Sequence, residues 1–223
     1  MEFNIQDIKK LLSEFIDVSQ VGSCQRFVKN LPSPSRENIL FSCFCCFSLF
    51  SRKYSLLVVD TLKTEKINSI LDFGGGIGAT TSIFKNEFPK AQIYYLDKKG
   101  SLQWTFAEKL FAKQRLNVSM IQSLSELKKP VDLVVAFELF EHVQNPLELL
   151  TEIERINSKF LAVSVSFNQV GYGHLQEYIF GNMKVQAKDA SRLFHKELRK
   201  LYVYDKRCAN FWNHHPKIYK KRI

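Results

Sequence analysis

The stretch Ile70-Leu71-Asp72-Phe73-Gly74-Gly75-Gly76-Ile77-Gly78 decides the fold of this chain. The run from Ile67 to Phe73 reads as a short buried strand that passes straight into a glycine turn. A helix from about Ala79 to Phe88 follows the turn. Glycines at 74, 76 and 78 allow positive φ, close approach of backbone to a ligand, and tight packing of helix on strand. Twenty-five positions after Asp72, a second apolar run, Ile93-Tyr94-Tyr95-Leu96, ends in Asp97. An acid at the end of the second strand of such a unit meets the ribose hydroxyls of a nucleotide-type ligand.

Spacing narrows the ligand. The dinucleotide fingerprint is G-x-G-x-x-G, whereas this loop is G-x-G-x-G with Asp72 two positions ahead of it. A carboxylate there would repel a pyrophosphate but suits a ligand carrying an ammonium and a sulfonium. The pattern resembles motif I of the class I S-adenosylmethionine-dependent methyltransferases. Downstream, Val131–Phe137 reads as a fourth strand, followed by Glu138-Leu139-Phe140-Glu141-His142-Val143. That E-x-x-E-H-V ending is similar to a methyltransferase group that includes ubiquinone-biosynthesis O-methyltransferases. The matching segments run from about residue 66 to 167.

The resemblance implies an α/β fold: a Rossmann-like, doubly wound, mostly parallel sheet that binds S-adenosylmethionine. It implies a cofactor loop of Gly74, Gly75, Gly76 and Gly78, with Asp97 on the ribose diol and Asp72 orienting the loop and the amino acid moiety. Ser123 falls where the family contacts adenine, and Phe137 and Glu138 fall at the same cavity, Phe137 packing on the cofactor. His142 is the expected proton acceptor, with Glu141 beside it, since an imidazole titrates near neutrality. Glu138, Glu141 and His142 also resemble the E-x-x-E-H cluster of metal-dependent small-RNA 3′-end 2′-O-methyltransferases, with His174 as the further histidine. No metal is expected at the site.

Around this centre the chain alternates helices and strands. Ser101–Gln114 reads as a helix, Val118–Ile121 as a third strand, Asn145–Ile156 as a helix opened by Asn-Pro, and Phe160–Val165 as a fifth strand. Gly171-Tyr172-Gly173-His174 reads as a loop, Asp189 as the cap of a helix reaching Lys200, and Leu201–Tyr204 as a sixth strand. The aromatic Phe211–Pro216 segment is expected to complete a seventh, antiparallel strand or to lie over the active site.

Residues 1–66 read as a helical N-terminal cap and 67–223 as the cofactor-binding domain. Ile5, Ile8, Leu11, Leu12, Phe15 and Ile16 recur at helical spacing, and Gly22, Pro32 and Pro34 break that pattern. The apolar run Ile39–Phe50 is too short to span a bilayer and suits a buried helix. No signal peptide is evident, and the five cysteines lack metal-site spacing, so they read as reduced core thiols of a cytoplasmic protein.

The net charge of +10 is concentrated at one end: residues 184–223 hold twelve Lys or Arg against three Asp or Glu. His195 in that region reads as structural or solvated; His214 and His215, being adjacent, point apart and do not read as a metal pair. No D-P-P-Y or N-P-P-Y follows the fourth strand and no Pro-Cys pair occurs, which disfavours amino-methylation of DNA bases and excludes cytosine C5 chemistry. The expected reaction is O-methylation of a small molecule. The alternatives are an RNA methyltransferase that uses the basic segment for phosphate contacts, or a non-catalytic cofactor-binding module.

Overall fold

The computed structural model describes residues 4–17, 23–29 and 35–222; Gly22, Pro32 and Pro34 lie outside them. Among the described residues nine strands form, β1 Ser69–Phe73, β2 Gln92–Leu96, β3 Ser119–Ile121, β4 Leu133–Phe137, β5 Phe160–Ser164, β6 Glu177–Phe180, β7 Met183–Gln186, β8 Tyr202–Tyr204 and β9 Lys217–Lys221. Among the described residues the helices are α1 Ile5–Leu12, α2 Cys24–Lys29, α3 Arg36–Cys46, α4 Arg52–Leu62, α5 Ala79–Glu87, α6 Leu102–Lys113, α7 Pro146–Arg155 and α8 Ala187–Leu201. Seven strands make one sheet in the order β3-β2-β1-β4-β5-β9-β8. β1 to β5 run parallel, while β9 is antiparallel to both β5 and β8. This is the doubly wound α/β architecture that the glycine loop implied. The strand order reverses between β1 and β4, and ligands of open α/β sheets bind beyond the carboxyl ends of the strands there.

Both faces of the sheet are covered, so β4 and β5 are buried along their whole length and apolar but for Ser164. On one face Leu150 and Ile153 of α7 and Phe194 and Leu198 of α8 pack on Leu71, Val134 and Leu161. On the other, Tyr54, Val58 and Leu62 of α4 and Phe84 of α5 pack on Ile70, Ile93 and Leu133. Each large apolar side chain buried in this way contributes about 1.5–3 kcal/mol. A further cluster joins Ile8, Leu11 and Leu12 of α1 and Leu40, Phe41 and Phe44 of α3 to Phe106 and Leu110 of α6, seating the N-terminal helices on the domain.

Local chemistry sets the helix starts. Ser101 Oγ accepts from Trp104 N–H, and Asn145 Oδ1 accepts from Glu148 N–H with Pro146 at the first helical position. Asp189 is not the cap expected of it: α8 begins at Ala187, and Asp189 lies in its first turn, where the helix dipole favours an acid.

Three other elements differ from expectation. The apolar run 39–50 belongs to a continuous helical stretch, Arg36–Leu62, of 27 residues, which by length and composition is enough to cross a membrane. Here it packs through Leu40, Phe44 and Tyr54 on the domain, and a π-helical turn, Phe47–Ser51, joins α3 to α4. The seventh strand starts at Lys217, whereas Phe211–His215 closes into a turn, with Asn213 and His214 at φ 48° and 61°. A hairpin of β6 and β7, which the sequence reading left out, precedes α8.

Candidate active site

β1 delivers Asp72 and the glycine loop to the carboxyl edge of the sheet, and β2 delivers Asp97 beside it. The loop is pinned to β2, since the N–H groups of Gly74 and Gly75 both donate to the Leu96 carbonyl. Gly76 has φ +54°, and a Cβ added there would meet no atom within 4 Å, so the loop is open above this residue. Its N–H donates to Asp97 Oδ2 at 2.7 Å. Gly78, at φ +73°, starts α5 where a Cβ would run into Phe111 and Ala107. The glycine turn is thus held from below by packing and left bare on the ligand side.

Asp72 lies beneath the loop. It is 2 % exposed, and Thr81 Oγ1 donates to its Oδ2 at 2.5 Å. Burial, opposed by Thr81 and reinforced by Asp97, pushes its carboxyl up to about 7. Asp97 is also raised by desolvation, against the N–H groups of Lys98 and Gly76.

A cleft of about 1160 Å³ opens over these strand ends, lined among others by Phe73, Gly74, Leu96, Asp97, Ser123, Leu139 and His142. Of the residues expected to form the site, Gly74, Asp97, Ser123 and His142 therefore share one cavity. Ser123 caps a short turn, Leu124–Glu126, whose Glu126 carboxylate accepts from the Gln122 and Ser123 N–H groups. Phe137 does not line the cleft. It faces α4, edge-on to Tyr54 with ring centroids 5.8 Å apart; Leu139, beyond the end of β4 and past the positive-φ Glu138, stands in the cleft instead.

Glu138 and Glu141 also turn away from the cleft lining. Glu138 has φ +49°, a conformation that costs a non-glycine residue about 1–3 kcal/mol and that its neighbours must hold. Its N–H donates to the Ser164 carbonyl and hydroxyl, and its Oε2 accepts from Ser166 Oγ at 2.5 Å. Glu141, wholly buried, accepts from Ser166 N–H at 3.2 Å. Burial first, then the neighbouring Glu138, raises the Glu141 carboxyl well above the usual range.

His142 stands at the rim, exposed yet flanked by protein. Desolvation and the adjacent His174 lower its pKa below 6.5, outweighing the opposing effects of Gly173 and Glu138. His174, read from sequence as a loop residue, meets it with ring centroids 4.8 Å apart. Its Nδ1–H donates to the Gln169 carbonyl at 2.9 Å, which leaves Nε2 with a lone pair. The β6–β7 hairpin makes this meeting possible. Leu175 N–H and Tyr178 Oη both donate to the Glu141 carbonyl, and Ile179 N–H donates to that of Gln144. Glu141, His142 and His174 offer metal-ligand atoms all within 4.8 Å of one another.

Residues 26–175, more than half the chain, match a family described as a methyltransferase domain. The chain belongs to that methyltransferase family. No curated protein sequence matches it significantly. Among solved structures, the plantazolicin methyltransferase BpumL, in complex with a pentazolic desmethylPZN analog and SAH, superposes with a TM-score of 0.55 at 14% identity, covering 98% of this chain and 100% of that one. The methyltransferase domain of bacterial CtHen1 gives 0.52 at 16%, over 75% and 98% of the two chains. The PH0226 protein of Pyrococcus horikoshii OT3 gives 0.51 at 14%, over 79% and 98%. These likenesses are of fold.

The methyltransferase is an S-adenosylmethionine-dependent enzyme, and its residues fit that cofactor. The bare surface above Gly76 admits a ligand against the backbone, and Asp97 carries a carboxylate at the edge of the cleft. Asp72 supports the loop from below rather than lining the cavity.

Proposed function

We propose that the methyltransferase methylates an oxygen of a small-molecule acceptor, with His142 taking the acceptor's proton. The observation behind this reading is that His142 and Asp97 line the same cleft, one at the rim and one at the ribose end. S-adenosylmethionine, when bound, supplies an electrophilic methyl on a sulfonium. The protein then has to hold the acceptor oxygen in line with that methyl and remove a proton. A lowered pKa keeps the His142 imidazole neutral at pH 7, ready to accept. Gly74, Gly75, Gly76, Gly78 and Asp97 hold the donor in this scheme, Asp72 fixes their loop, and Ser123 borders the adenine end. Glu141 acts as a positioning residue: its carbonyl ties the His142 turn to the β6–β7 hairpin. The likeness of E-x-x-E-H-V to ubiquinone-pathway O-methyltransferases supports the same reading.

The test is a screen of hydroxylated small molecules for methyl incorporation with S-adenosylmethionine, comparing wild type with H142A. General-base catalysis contributes typically ~10²–10⁴-fold, and a loss of that size in H142A with unchanged donor binding is the expected result. Activity in wild type should fall on an acid limb below pH 6.5, where the imidazole becomes protonated. An H142A variant as active as wild type would overturn the role given to His142.

One observation favours a second reading, metal-assisted 2′-O-methylation of RNA. It is the close grouping of Glu141, His142 and His174. Imidazole and carboxylate donors suit a divalent cation, which would polarise the acceptor hydroxyl, and the basic 184–223 segment would meet phosphates. Methylation of RNA that is abolished by EDTA and restored by Mn²⁺ would select this reading over the first.

A further inference from the structure

The cleft reaches well beyond its cofactor end. Its volume of about 1160 Å³ exceeds the roughly 300–1000 Å³ of a pocket that holds one small ligand. Gly74, Asp97 and Ser123 mark the nucleoside end. Past them the lining continues along α7 to Arg155 and Ile156 and, on the facing wall, to Lys128, Lys129 and Pro130.

The topology accounts for this extra room. α5 joins β1 to β2, α6 joins β2 to β3, and α7 joins β4 to β5. Between β3 and β4 the chain forms only the short turn Leu124–Glu126. A parallel crossover usually carries a helix, and the missing one leaves space beside α7.

The extension is apolar along its walls and cationic at its far end. Leu127, Leu139, Val143 and Ile156 supply the walls, and Lys128, Lys129 and Arg155 set three positive charges against the one carboxylate of Glu152. All four charged residues are exposed, and among the described residues none of them forms an ion pair. Lys98, the other cation of the lining, stands at the ribose end beside Asp97. The adenine end of S-adenosylmethionine, placed at Ser123, carries no charge, so the cofactor gives the three far cations no counterion. Charges of one sign between low-dielectric walls focus their field into a cleft, and a guanidinium offers paired N–H donors to a carboxylate or phosphate.

Length and lining narrow the ligand further. His142 lies just ahead of α7 and Arg155 is its last residue, so the rise of this ten-residue helix separates the two by about 15 Å. Channels for single-stranded nucleic acid stack bases on aromatic side chains. Here Phe73, at the glycine loop, is the one Phe, Tyr or Trp among the described lining residues, and the extension itself is aliphatic.

We propose that this extension binds the anionic end group, a carboxylate or a phosphate, of an elongated small-molecule acceptor whose hydroxyl reaches His142. The proposal rests on the small-molecule reading above and assigns its substrate class: an apolar body with an anion at the end remote from the methylated oxygen.

The experiment is a titration of the full chain, saturated with S-adenosylhomocysteine, with ω-hydroxydodecanoate and with ω-hydroxydodecyl phosphate, and in parallel with dodecanediol and with oligouridylate. The expected result is that one or both anions bind roughly tenfold or more tightly than the diol, a charge-assisted hydrogen bond being worth that much. The tighter of the two identifies the group. R155Q and the double variant K128Q/K129Q should each weaken the anion by a similar factor while S-adenosylhomocysteine binding stays intact, which also shows that the variants are folded. Equal binding of the diol, or insensitivity to both variants, would overturn the proposal. So would tighter binding of oligouridylate that is lost in the same variants, which would give the wall to nucleic acid. Those failures concern the anion alone. The small-molecule reading fails separately, when wild type with S-adenosylmethionine methylates neither these probes nor any hydroxylated molecule of the screen above.

Discussion

Asp72 and Asp97 lie on neighbouring strands at one sheet edge, yet they do different work. Asp97 faces the cleft and reaches the Gly76 N–H, so D97A should weaken nucleoside binding roughly 10–100-fold, the range expected for losing a charge-assisted hydrogen bond. Asp72 is buried under the loop with a pKa near 7 instead of the usual 3.8. A raised carboxyl pKa means that the folded state holds the proton more tightly than the unfolded chain. Its stabilising effect is full below about pH 4 and is lost as pH rises through about 7, by at most about 4 kcal/mol. Thermal melts of wild type should therefore show this loss between pH 4 and 8, and D72N should flatten the profile. Equal profiles in the two proteins would remove Asp72 as the cause. The glycines and both acids were legible in the sequence because their spacing is local. His174 was reached only through the resemblance to the E-x-x-E-H cluster, because no local spacing brings it to Glu141 and His142.

The β6–β7 hairpin illustrates what the element scale adds. Its strands are four residues each, too short for alternation to stand out, although Gly181-Asn182 between Tyr178-Ile179-Phe180 and Met183-Lys184-Val185 does carry a turn signal. The hairpin carries Tyr178, whose hydroxyl donates to the Glu141 carbonyl at 3.0 Å and so fixes the turn bearing His142. Y178F should cost about 1 kcal/mol in a denaturant melt. It should also lower kcat for the acceptor more than it alters donor affinity. A variant that shifts donor affinity alone would show that the hairpin does not position His142. The cap helix gives a second case, since its apolar run looked like a twelve-residue segment only because Arg52 and Lys53 interrupt the hydropathy, while the helical backbone continues to Leu62.

At the scale of the whole molecule, the sheet order β3-β2-β1-β4-β5-β9-β8 puts the ends of β1, β2 and β3 and the segment after β4 around one cleft. The alternation of elements from β1 to β5 made this core readable in advance. The edge was harder: Phe211–Pro216 is aromatic enough to resemble a strand, but Asn213 and His214 take positive φ, and the seventh strand follows at Lys217. That turn places Trp212 against Phe50 and His215 against Tyr54 of the cap helix. The central claim is that this architecture binds S-adenosylmethionine through the glycine loop and Asp97. Calorimetric titration of the purified protein with S-adenosylhomocysteine, alongside D97A, tests it most directly. The account predicts micromolar one-to-one binding by wild type and roughly 10–100-fold weaker binding in the variant; a folded wild-type protein that takes up no S-adenosylhomocysteine would contradict it.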